Sequence, residues 1–543
     1  MQGHDAIAQA LIDQGIDTMF GVLGDGNLFI AEAMMREHGL HYVAATHEAN
    51  AVLMAEGYAK ATGRLGVATV THGPGLTNTF TALIEAARAR TPLLLITGDT
   101  PRGAREHLQN LDQHAVVAAT GAGFEPIRTL NRIAVDVAIA VRRAHVERRP
   151  IVLNVPLDME WETDVELRSV GQLPVMAQAT IPDPAALDVA VGILATATRP
   201  LVLAGRGAVR ADAHDSLVRL AEALGAPLAT SVLGSGYFRG DPFNLGICGT
   251  VGTPVALDTI ASADTIISFG ASLNQFTTDE GALFRDKRVI QCDNDPARIG
   301  STVPIDAGIV GDAASIADTI TEWLTQADHR PSGFRSDDLA QRIAEFRLID
   351  SFEDKSVDGA VDPRSFTLRL DEILPEDRTV VLDAGRFMLD ALRLPVPDPQ
   401  SLVTSHAFGA IGLGMSNAIG AATARPDRPT VLLIGDGGFM MGALTEFHTA
   451  VEHDLDLIVV LYNDGSYGAE HIQLWNKQMD PAASLHHWPD FQSVMGALGA
   501  NTVTVSSLAD MDHAADAITN RKTGQPVFIE AKLDPAMISA IPR

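Results

Sequence analysis

Short apolar runs of four or five residues recur along the 543-residue chain, separated by alanine-rich, helix-like stretches. Apolar runs of this length are typical of buried strands. Strands that alternate with helices predict parallel sheets with helices on both faces. The chain is therefore predicted to be an α/β protein built from doubly wound parallel sheets. The predicted strands are Gly66–Val70, Leu93–Thr97, Ile151–Val155, Leu201–Ala204, Thr265–Phe269, Val289–Cys292, Thr379–Leu382, Thr430–Ile434, Leu457–Leu461 and Val527–Ala531.

Two stretches rich in proline, glycine and polar residues, 170–184 and 326–338, interrupt this pattern. Such stretches commonly mark boundaries between domains. They divide the chain into three predicted α/β domains, at residues 1–172, 185–328 and 355–543. The length of the chain suffices for three domains with separate hydrophobic cores.

The composition bears on location and partners. A formal net charge of −28 argues against a nucleic-acid or anionic-membrane partner. Cys248 and Cys292 show neither the spacing of a zinc site nor a disulfide framework, which fits a reducing, cytoplasmic location. The N-terminus lacks a basic segment followed by an apolar one, so no secretory signal is predicted. The uncharged stretch 407–424 is rich in glycine and alanine, and it is predicted to be a packed internal helix rather than a membrane span.

Two polar loops that each follow a predicted strand are the sharpest local feature. Residues 434–439 read IGDGGF, and residues 463–468 read NDGSYG. Loops after parallel strands meet at one edge of a sheet, and glycines let the backbone approach a phosphate closely. The carboxylates of Asp436 and Asp464 and the carbonyl of Ser466 are oxygen ligands suited to a hard divalent cation that also binds a diphosphate. Taken singly, each loop is equally well read as a tight turn.

Together the two loops resemble the thiamine diphosphate motif, which begins with GDG and ends in two polar residues, usually NN. The resemblance implies thiamine diphosphate and Mg²⁺ as cofactors, with Asp436, Asp464 and Ser466 as metal ligands. Asp464 stands where asparagine is usual, which keeps an oxygen ligand and adds a negative charge, and it leaves Asn463 as a neighbouring support. The residues of these loops that the resemblance assigns to cofactor binding are Gly435, Gly437, Gly438, Asn463, Tyr467 and Gly468.

A second resemblance lies about 390 residues earlier. Residues 46–51 (THEANA) and 54–59 (MAEGYA) are similar to a segment of acetolactate synthases and their relatives. The resemblance implies that Glu48 is the catalytic carboxylate that binds the pyrimidine ring and favours its imino form, which then removes the thiazolium proton. Without the family, Glu48 reads as an ordinary exposed glutamate. Glu56 is interpreted as structural.

Further segments resemble this family in the family's own order: pyrimidine domain, middle domain, diphosphate domain. Residues 71–78 (THGPGLTN) resemble its TSGPGxxN loop, with His72 in place of serine, and Gln109 falls where acetolactate synthases have a glutamine near the cofactor. Residues 408–412 (FGAIG) resemble the loop that holds the bent cofactor, with Ile411 between the rings and the Gly409 carbonyl on the pyrimidine amino group. Three residues of a diphosphate-side loop complete the assignments: Gly385, Arg386 and Phe387.

In this family the two motifs meet across a subunit interface. Glu48 of one chain would serve cofactor held by Asp436 of another. The resemblance therefore predicts a homodimer at minimum, with a homotetramer favoured.

The choice of reaction depends on residues that differ among relatives. Asp25, in GDGNL, resembles a catalytic aspartate of pyruvate decarboxylases, and Glu470 falls where those enzymes carry a catalytic glutamate. The alternatives are a helix cap for Asp25 and a solvated first-turn charge for Glu470. The adjacent histidine pair of pyruvate decarboxylases is missing, since His107 and His114 are not neighbours in sequence. The predicted catalytic residues are Glu48, Asp25, Glu470, His72 and Gln109.

The middle domain also departs from acetolactate synthases. Residues 271–276 (ASLNQF) lack their RFDDR-like segment, which weakens both an acetolactate product and a bound FAD. Residues 201–207 (LVLAGRG) are a weak nucleotide signal on their own. We therefore predict no FAD or other nucleotide in this domain.

The sequence as a whole predicts a thiamine diphosphate enzyme that decarboxylates a 2-oxo acid. The resulting enamine is either protonated to an aldehyde or joined to a second carbonyl compound. Three alternatives stay open: an acetolactate synthase-type carboligase, a lyase of 2-hydroxy ketones, and an inactive subunit that regulates a partner. The side chain of the substrate and the fate of the enamine are left undecided.

Overall fold

The computed structural model describes residues 1–104, 106–174 and 180–537. The described chain forms three six-stranded, fully parallel sheets. It divides into two compact units, one containing the first and third sheets and the other containing the second. Part of the predicted linker at 170–184 lies outside the described residues.

The first sheet has the strand order β2-β1-β3-β4-β6-β5, so the order reverses between β1 and β3. Its central strands are buried on both faces, which is why they read as unbroken apolar runs. The strands are β1 (Thr18–Gly21), β2 (His41–Ala44), β3 (Gly66–Val70), β4 (Leu93–Asp99), β5 (Gly123–Pro126) and β6 (Pro150–Pro156). The helices are α1 (Gly3–Asp13), α2 (Leu28–His38), α3 (Glu48–Thr62), α4 (Pro74–Asn78), α5 (Phe80–Arg88), α6 (Gln113–Thr120), α7 (Ile133–Glu147) and α8 (Leu157–Glu160).

The second sheet, in its own unit, has the order β12-β11-β10-β7-β8-β9. Its strands are β7 (Pro200–Ala204), β8 (Leu228–Thr230), β9 (Asn244–Ile247), β10 (Thr265–Phe269), β11 (Arg288–Asp293) and β12 (Ala307–Val310). Its helices are α9 (Pro184–Ala195), α10 (Arg206–Arg210), α11 (His214–Leu224), α12 (Pro254–Ser262), α13 (Gln275–Thr278), α14 (Ala313–Gln326) and α15 (Asp337–Glu345).

The glycine-rich loop after β7 packs against the loop after β10. The amide of Gly207 donates to the carbonyl of Gly270 at 3.0 Å. A Cβ on Gly207 would lie 2.5 Å from the Gly270 Cα, and one on Gly205 would lie 2.4 Å from the Gly270 oxygen. Close approach of two backbones therefore accounts for these glycines without a nucleotide, whose absence from this domain stays a prediction.

The third sheet repeats the order of the first, β14-β13-β15-β16-β18-β17. Its strands are β13 (Thr379–Asp383), β14 (Leu402–Ser405), β15 (Thr430–Gly435), β16 (Leu457–Asn463), β17 (Asn501–Val505) and β18 (Val527–Lys532). Its helices are α16 (Pro363–Ile373), α17 (Met388–Ala391), α18 (Gly414–Ala424), α19 (Asp436–Gly438), α20 (Phe447–Glu452), α21 (Gly468–Asn476), α22 (Phe491–Ala497) and α23 (Met511–Thr519).

Helices α3 and α18 join the first and third sheets into one unit with a continuous core. Their backbones touch at two glycines. A Cβ on Gly57 would lie 2.1 Å from the Asn417 oxygen, and one on Gly420 would lie 1.9 Å from the Met54 oxygen. The predicted internal helix at 407–424 is therefore correct only from Gly414 onward, and the residues before it form a loop. No helix in the described part of the chain is long and apolar enough to cross a membrane.

The fold class predicted from the sequence is confirmed: three α/β domains with parallel sheets. Each of the ten predicted strands coincides with an observed strand or lies within one. The three sheets fall inside the predicted domain spans, whose exact boundaries stay a prediction.

Candidate active site

The order of the third sheet reverses between β13 and β15, and the loops that follow these neighbouring strands lie at the carboxyl edge, where ligands commonly bind in α/β sheets. The loop after β13 carries Gly385, Arg386 and Phe387. The loop after β15 carries Asp436, and the next strand in the sheet, β16, leads into Asp464. Sheet topology thus brings together residues that are up to 79 positions apart in the sequence.

Asp436 and Asp464 form a buried carboxylate pair. The Asp436 oxygens accept hydrogen bonds from the Gly437 amide at 2.9 Å and from Trp488 Nε1 at 2.7 Å. One Asp464 oxygen accepts from the amide and hydroxyl of Ser466, at 2.8 and 2.9 Å. Burial raises the pKa of Asp436, and the charge of Asp464 raises it further. Burial also raises the pKa of Asp464. Two carboxylates in this setting suit a divalent cation that neutralises both.

Asn463, the other polar residue of the predicted pair, has protein partners at both ends of its amide. Its Nδ2 donates to Glu530 Oε1 at 2.6 Å, and its Oδ1 accepts from the Gly465 amide at 3.1 Å. These bonds fix the turn that presents Asp464. They favour Asp464 over Asn463 as the metal ligand.

Two of the predicted cofactor-binding glycines, Gly435 and Gly437, have little space for a side chain. A Cβ on Gly437 would lie 2.6 Å from the Tyr467 ring and 3.9 Å from Ile411 Cδ1. A Cβ on Gly435 would lie 3.1 Å from the Phe387 ring. The remaining predicted residues lie around this point: Gly438 beside Asp383 Oδ2, Gly385 with φ +145° beside Phe387, Gly409 with φ +82°, and Gly468 at the start of α21.

Arg386 adds positive charge to this edge of the sheet. Its guanidinium is partly buried, which lowers its pKa, and it is attracted electrostatically by Asp390 and Asp464. One buried nitrogen, Nη1, has no hydrogen-bond partner within the described residues. A free, buried donor beside two carboxylates fits the recognition of a phosphate group.

Glu48 is the first residue of α3, at the edge of the first sheet. Its Oε2 accepts from Asn78 Nδ2 at 2.9 Å. The first turn of this helix is held by Glu446, a fully buried carboxylate from the third-sheet domain. Glu446 Oε1 accepts from the Thr46 amide at 2.7 Å and from Asn50 Nδ2 at 2.8 Å. Sequence reasoning missed Glu446, because nothing near it in the sequence indicates a partner about 400 residues away.

A second cluster lies where the order of the first sheet reverses. His72 is buried at the carboxyl end of β3, and its ring centre is 5.3 Å from that of His107. Burial and His107 lower the pKa of His72, whereas the charges of Asp99 and Asp25 raise it. His72 and His107, which are far apart in the sequence, are therefore neighbours in space. His114 instead contacts the Phe124 ring, at 5.3 Å.

Gln113, which was not predicted from the sequence, joins the two loops beside this cluster. It accepts from the Gly73 amide at 3.0 Å and donates to the Gly98 oxygen at 2.8 Å. The predicted Gln109 packs its main chain against Gly73, where a Cβ would lie 2.6 Å from the Gln109 oxygen. The loops after β3 and β4 are thereby tied together around His72.

Some predicted residues do not meet within one chain. Among the described residues, no hydrogen bond or ion pair joins Glu48 to Asp436. Glu470 is exposed in the first turn of α21, with no recorded contact to Asp25.

Comparison with known proteins gives matches along most of the chain. The N-terminal TPP binding domain of thiamine pyrophosphate enzymes matches residues 1–116, the central domain matches 187–320, and the C-terminal TPP binding domain matches 383–531.

Three relatives are similar over nearly their whole length. A probable acetolactate synthase large subunit of Methanocaldococcus jannaschii is 28% identical over 99% of this chain and 92% of its own. The acetolactate synthase isozyme 3 large subunit of Escherichia coli is 27% identical over 98% of this chain and 95% of its own. A sulfoacetaldehyde acetyltransferase of Rhodobacter capsulatus is 28% identical over 100% of this chain and 98% of its own. With the three domains present in order, the chain belongs to the family of thiamine pyrophosphate-dependent enzymes that includes the acetolactate synthases.

Proposed function

We propose that the protein binds thiamine diphosphate through Mg²⁺, decarboxylates a 2-oxo acid and transfers the remaining acyl group to a second carbonyl compound. The observation that carries the proposal is the buried pair Asp436 and Asp464 at the carboxyl ends of two neighbouring strands. Such a pair is costly to bury unless a cation compensates it.

Thiamine diphosphate supplies an electron sink for breaking or making a bond beside a carbonyl group. Asp436, Asp464 and the Ser466 carbonyl would hold Mg²⁺ and the diphosphate. The glycines at 435 and 437 would let the backbone approach the phosphates. Arg386 would offer its free donor to a phosphate oxygen.

The first-sheet domain would supply the side chains that transfer protons and contact the substrate. Glu48 would bind the pyrimidine ring, and Asn78 holds its carboxylate in place at 2.9 Å. Asp25, His72 and Gln109 would line the substrate side, where His107 joins them. His72 stays neutral more readily than an exposed histidine because its pKa is lowered, so its ring can accept a proton as well as donate one.

The catalytic centre is proposed to form between two subunits. Glu48 would act on cofactor held by the partner subunit, as the resemblance to acetolactate synthases implies. A homodimer is the minimum that this arrangement needs, and we favour a homotetramer.

The comparison with known proteins favours transfer over release of an aldehyde. The relatives named above are acetolactate synthases and a sulfoacetaldehyde acetyltransferase. Release of an aldehyde is the second candidate, supported by the cluster of Asp25, His72 and His107.

The test is a panel of 2-oxo acids with and without thiamine diphosphate and Mg²⁺, with and without an acceptor aldehyde or ketone. CO₂ release and product analysis distinguish the outcomes. We expect CO₂ release that needs both cofactors and a 2-hydroxy ketone or acid as product. Aldehyde alone would favour the second candidate, and cofactor binding without turnover on any substrate would favour a regulatory subunit.

A further inference from the structure

The loop between β14 and α18 is fixed at both ends by buried carboxylates. It spans residues 406–413 and contains Gly409 and Ile411, which the proposed function assigns to the cofactor. Asp383 binds the end of the loop nearest α18, and Glu85 binds the other end. Neither carboxylate belongs to the predicted catalytic or binding residues.

Asp383, the last residue of β13, is fully buried. Its Oδ2 accepts from the Gly412 amide at 2.8 Å, and its Oδ1 accepts from the amides of Leu413 and Gly414 at 3.1 and 3.0 Å. One carboxylate thus binds three consecutive amides at the start of α18, where a helix has unpaired donors.

Glu85, in α5 of the first-sheet domain, is also fully buried. Its Oε1 accepts from the Ala407 amide at 2.8 Å, and its Oε2 accepts from the Phe408 amide at 2.6 Å. Each oxygen binds one of two successive amides. Charge-assisted bonds of this length are among the stronger ones in proteins.

Two further side chains of the first-sheet domain hold the same segment. Lys60 Nζ donates to the Thr404 oxygen at 2.6 Å and lies 4.0 Å from Glu85. The Arg88 guanidinium lies over the Phe408 ring, 4.6 Å from its centre. The segment therefore has charged partners in α3 and α5 immediately before Gly409.

Only three residues, 409 to 411, lie between the two sets of bonded amides. A carboxylate that binds successive amides fixes their orientation, and so fixes where the intervening residues can go. Gly409 adopts φ +82°, a conformation that its neighbours must maintain. With both ends held, the Gly409 carbonyl and the Ile411 side chain have little freedom before any ligand arrives.

We propose that Glu85 and Asp383 are positioning residues that set residues 409–411 in the conformation needed to bind the bent cofactor. The inference rests on the proposed function. It has a consequence for the dimer. The first-sheet domain, whose Glu48 would act on the partner subunit's cofactor, also shapes the cofactor loop of its own chain through Glu85.

Glu85→Gln tests the inference, because it keeps the volume and removes one of the two acceptor oxygens. Asp136→Asn is the control: Asp136 is a buried carboxylate of the same domain that pairs with Arg132 at 2.9 Å, and none of its hydrogen bonds among the described residues reaches the loop. Binding of thiamine diphosphate with Mg²⁺ is compared with binding of inorganic diphosphate with Mg²⁺. Inorganic diphosphate needs the carboxylate pair but not the loop.

For Glu85→Gln we expect about ten-fold weaker binding of thiamine diphosphate, from the loss of a charge-assisted bond, with inorganic diphosphate unchanged. Thiamine diphosphate is achiral, so near-ultraviolet circular dichroism that appears on binding reports a fixed conformation of its rings. We expect this signal and kcat to fall in Glu85→Gln and to persist in Asp136→Asn.

Equal affinity, dichroism and kcat in the two variants would overturn the inference. Failure of the unmodified protein to bind either diphosphate with Mg²⁺ would instead overturn the proposed function. If Glu85→Gln does not fold, Arg88→Gln is measured instead, because Arg88 is exposed and its substitution should not prevent folding. A loss of about two- to five-fold, selective for thiamine diphosphate, supports the inference, and no loss contradicts it.

Discussion

Glu160, at the end of α8, is a buried carboxyl group for which the protein provides no compensation. It is fully buried, and neither of its oxygens has a hydrogen-bond partner within the described residues. Its backbone carbonyl binds His4 Nδ1 at 2.9 Å, which holds the residue beneath α1. Burial raises the pKa of Glu160 from 4.5 to about 8. The carboxyl group is therefore neutral in the folded protein at pH 7.

The sign of the effect on stability follows from proton counts. Below pH 4.5 both the folded and the unfolded chain carry the proton. Between pH 4.5 and about 8 the unfolded chain loses it while the folded chain keeps it, so stability falls as the pH rises. At about 1.4 kcal/mol per pH unit, the full cost above pH 8 is about 5 kcal/mol. This is an upper limit, because local opening that admits water lowers it.

Glu160→Gln removes the charge and keeps the shape. We expect the variant to match the unmodified protein near pH 4.5 and to be more stable by several degrees in melting temperature at pH 8.5. The measurement is thermal unfolding followed by intrinsic fluorescence across this pH range. Glu162→Gln is the control, since Glu162 is exposed and pairs with Arg102. A constant difference between Glu160→Gln and the unmodified protein from pH 4.5 to 8.5 would refute the reasoning.

Four further outcomes are expected. Glu48→Gln keeps cofactor affinity and loses most turnover in a steady-state assay, because its charge is needed for proton transfer; full activity would contradict this role. Gly420→Ala lowers the melting temperature strongly, because its Cβ would lie 1.9 Å from the Met54 oxygen. The control is Gly192→Ala, at an exposed position where a Cβ meets nothing, and it should leave the melting temperature unchanged. Equal melting temperatures of the two variants would exclude a tight contact between α3 and α18. Trp488→Phe loses the bond to Asp436 and weakens Mg²⁺-dependent cofactor binding about ten-fold by calorimetry, a change that unaltered affinity would disprove. Removal of divalent cations with a chelator should abolish cofactor binding, and binding that persists would argue against a metal-held diphosphate.

The sequence predicted ten of the twelve strands that lie inside the described sheets, missing β1 and β8, and none of the six edge strands. Long apolar runs such as β15 and β16 are buried on both faces, so every position must be hydrophobic. The edge strand β2 has only four residues, and two of them are exposed. Its composition therefore carries no distinct signal. The same holds for β17, at the edge of the third sheet, where four of five residues are only partly buried.

The candidate site divides in the same way. The pairing of Asp436 with Asp464 could be predicted, because each stands in a glycine-rich loop directly after a long apolar strand; their role as metal ligands stays a prediction. The pairing of His72 with His107 could not, since it depends on two different loops at one edge of a sheet. Trp488 was missed because its bond to Asp436 spans 52 residues.

By itself the sequence determined the α/β class, most strands of the sheet interiors and the motifs of a thiamine pyrophosphate-dependent enzyme. Hydrophobic runs and glycine-rich turns act over a few residues, so they can be read locally. Only the tertiary structure decided that Glu446 anchors the helix of Glu48 and that Glu85 and Asp383 hold the loop at residues 406–413. A buried carboxylate is stabilised by hydrogen-bond donors, and the fold brings these donors from distant parts of the chain. The bonds that anchor Glu446, Glu85 and Asp383 in this way span 29 to 400 residues.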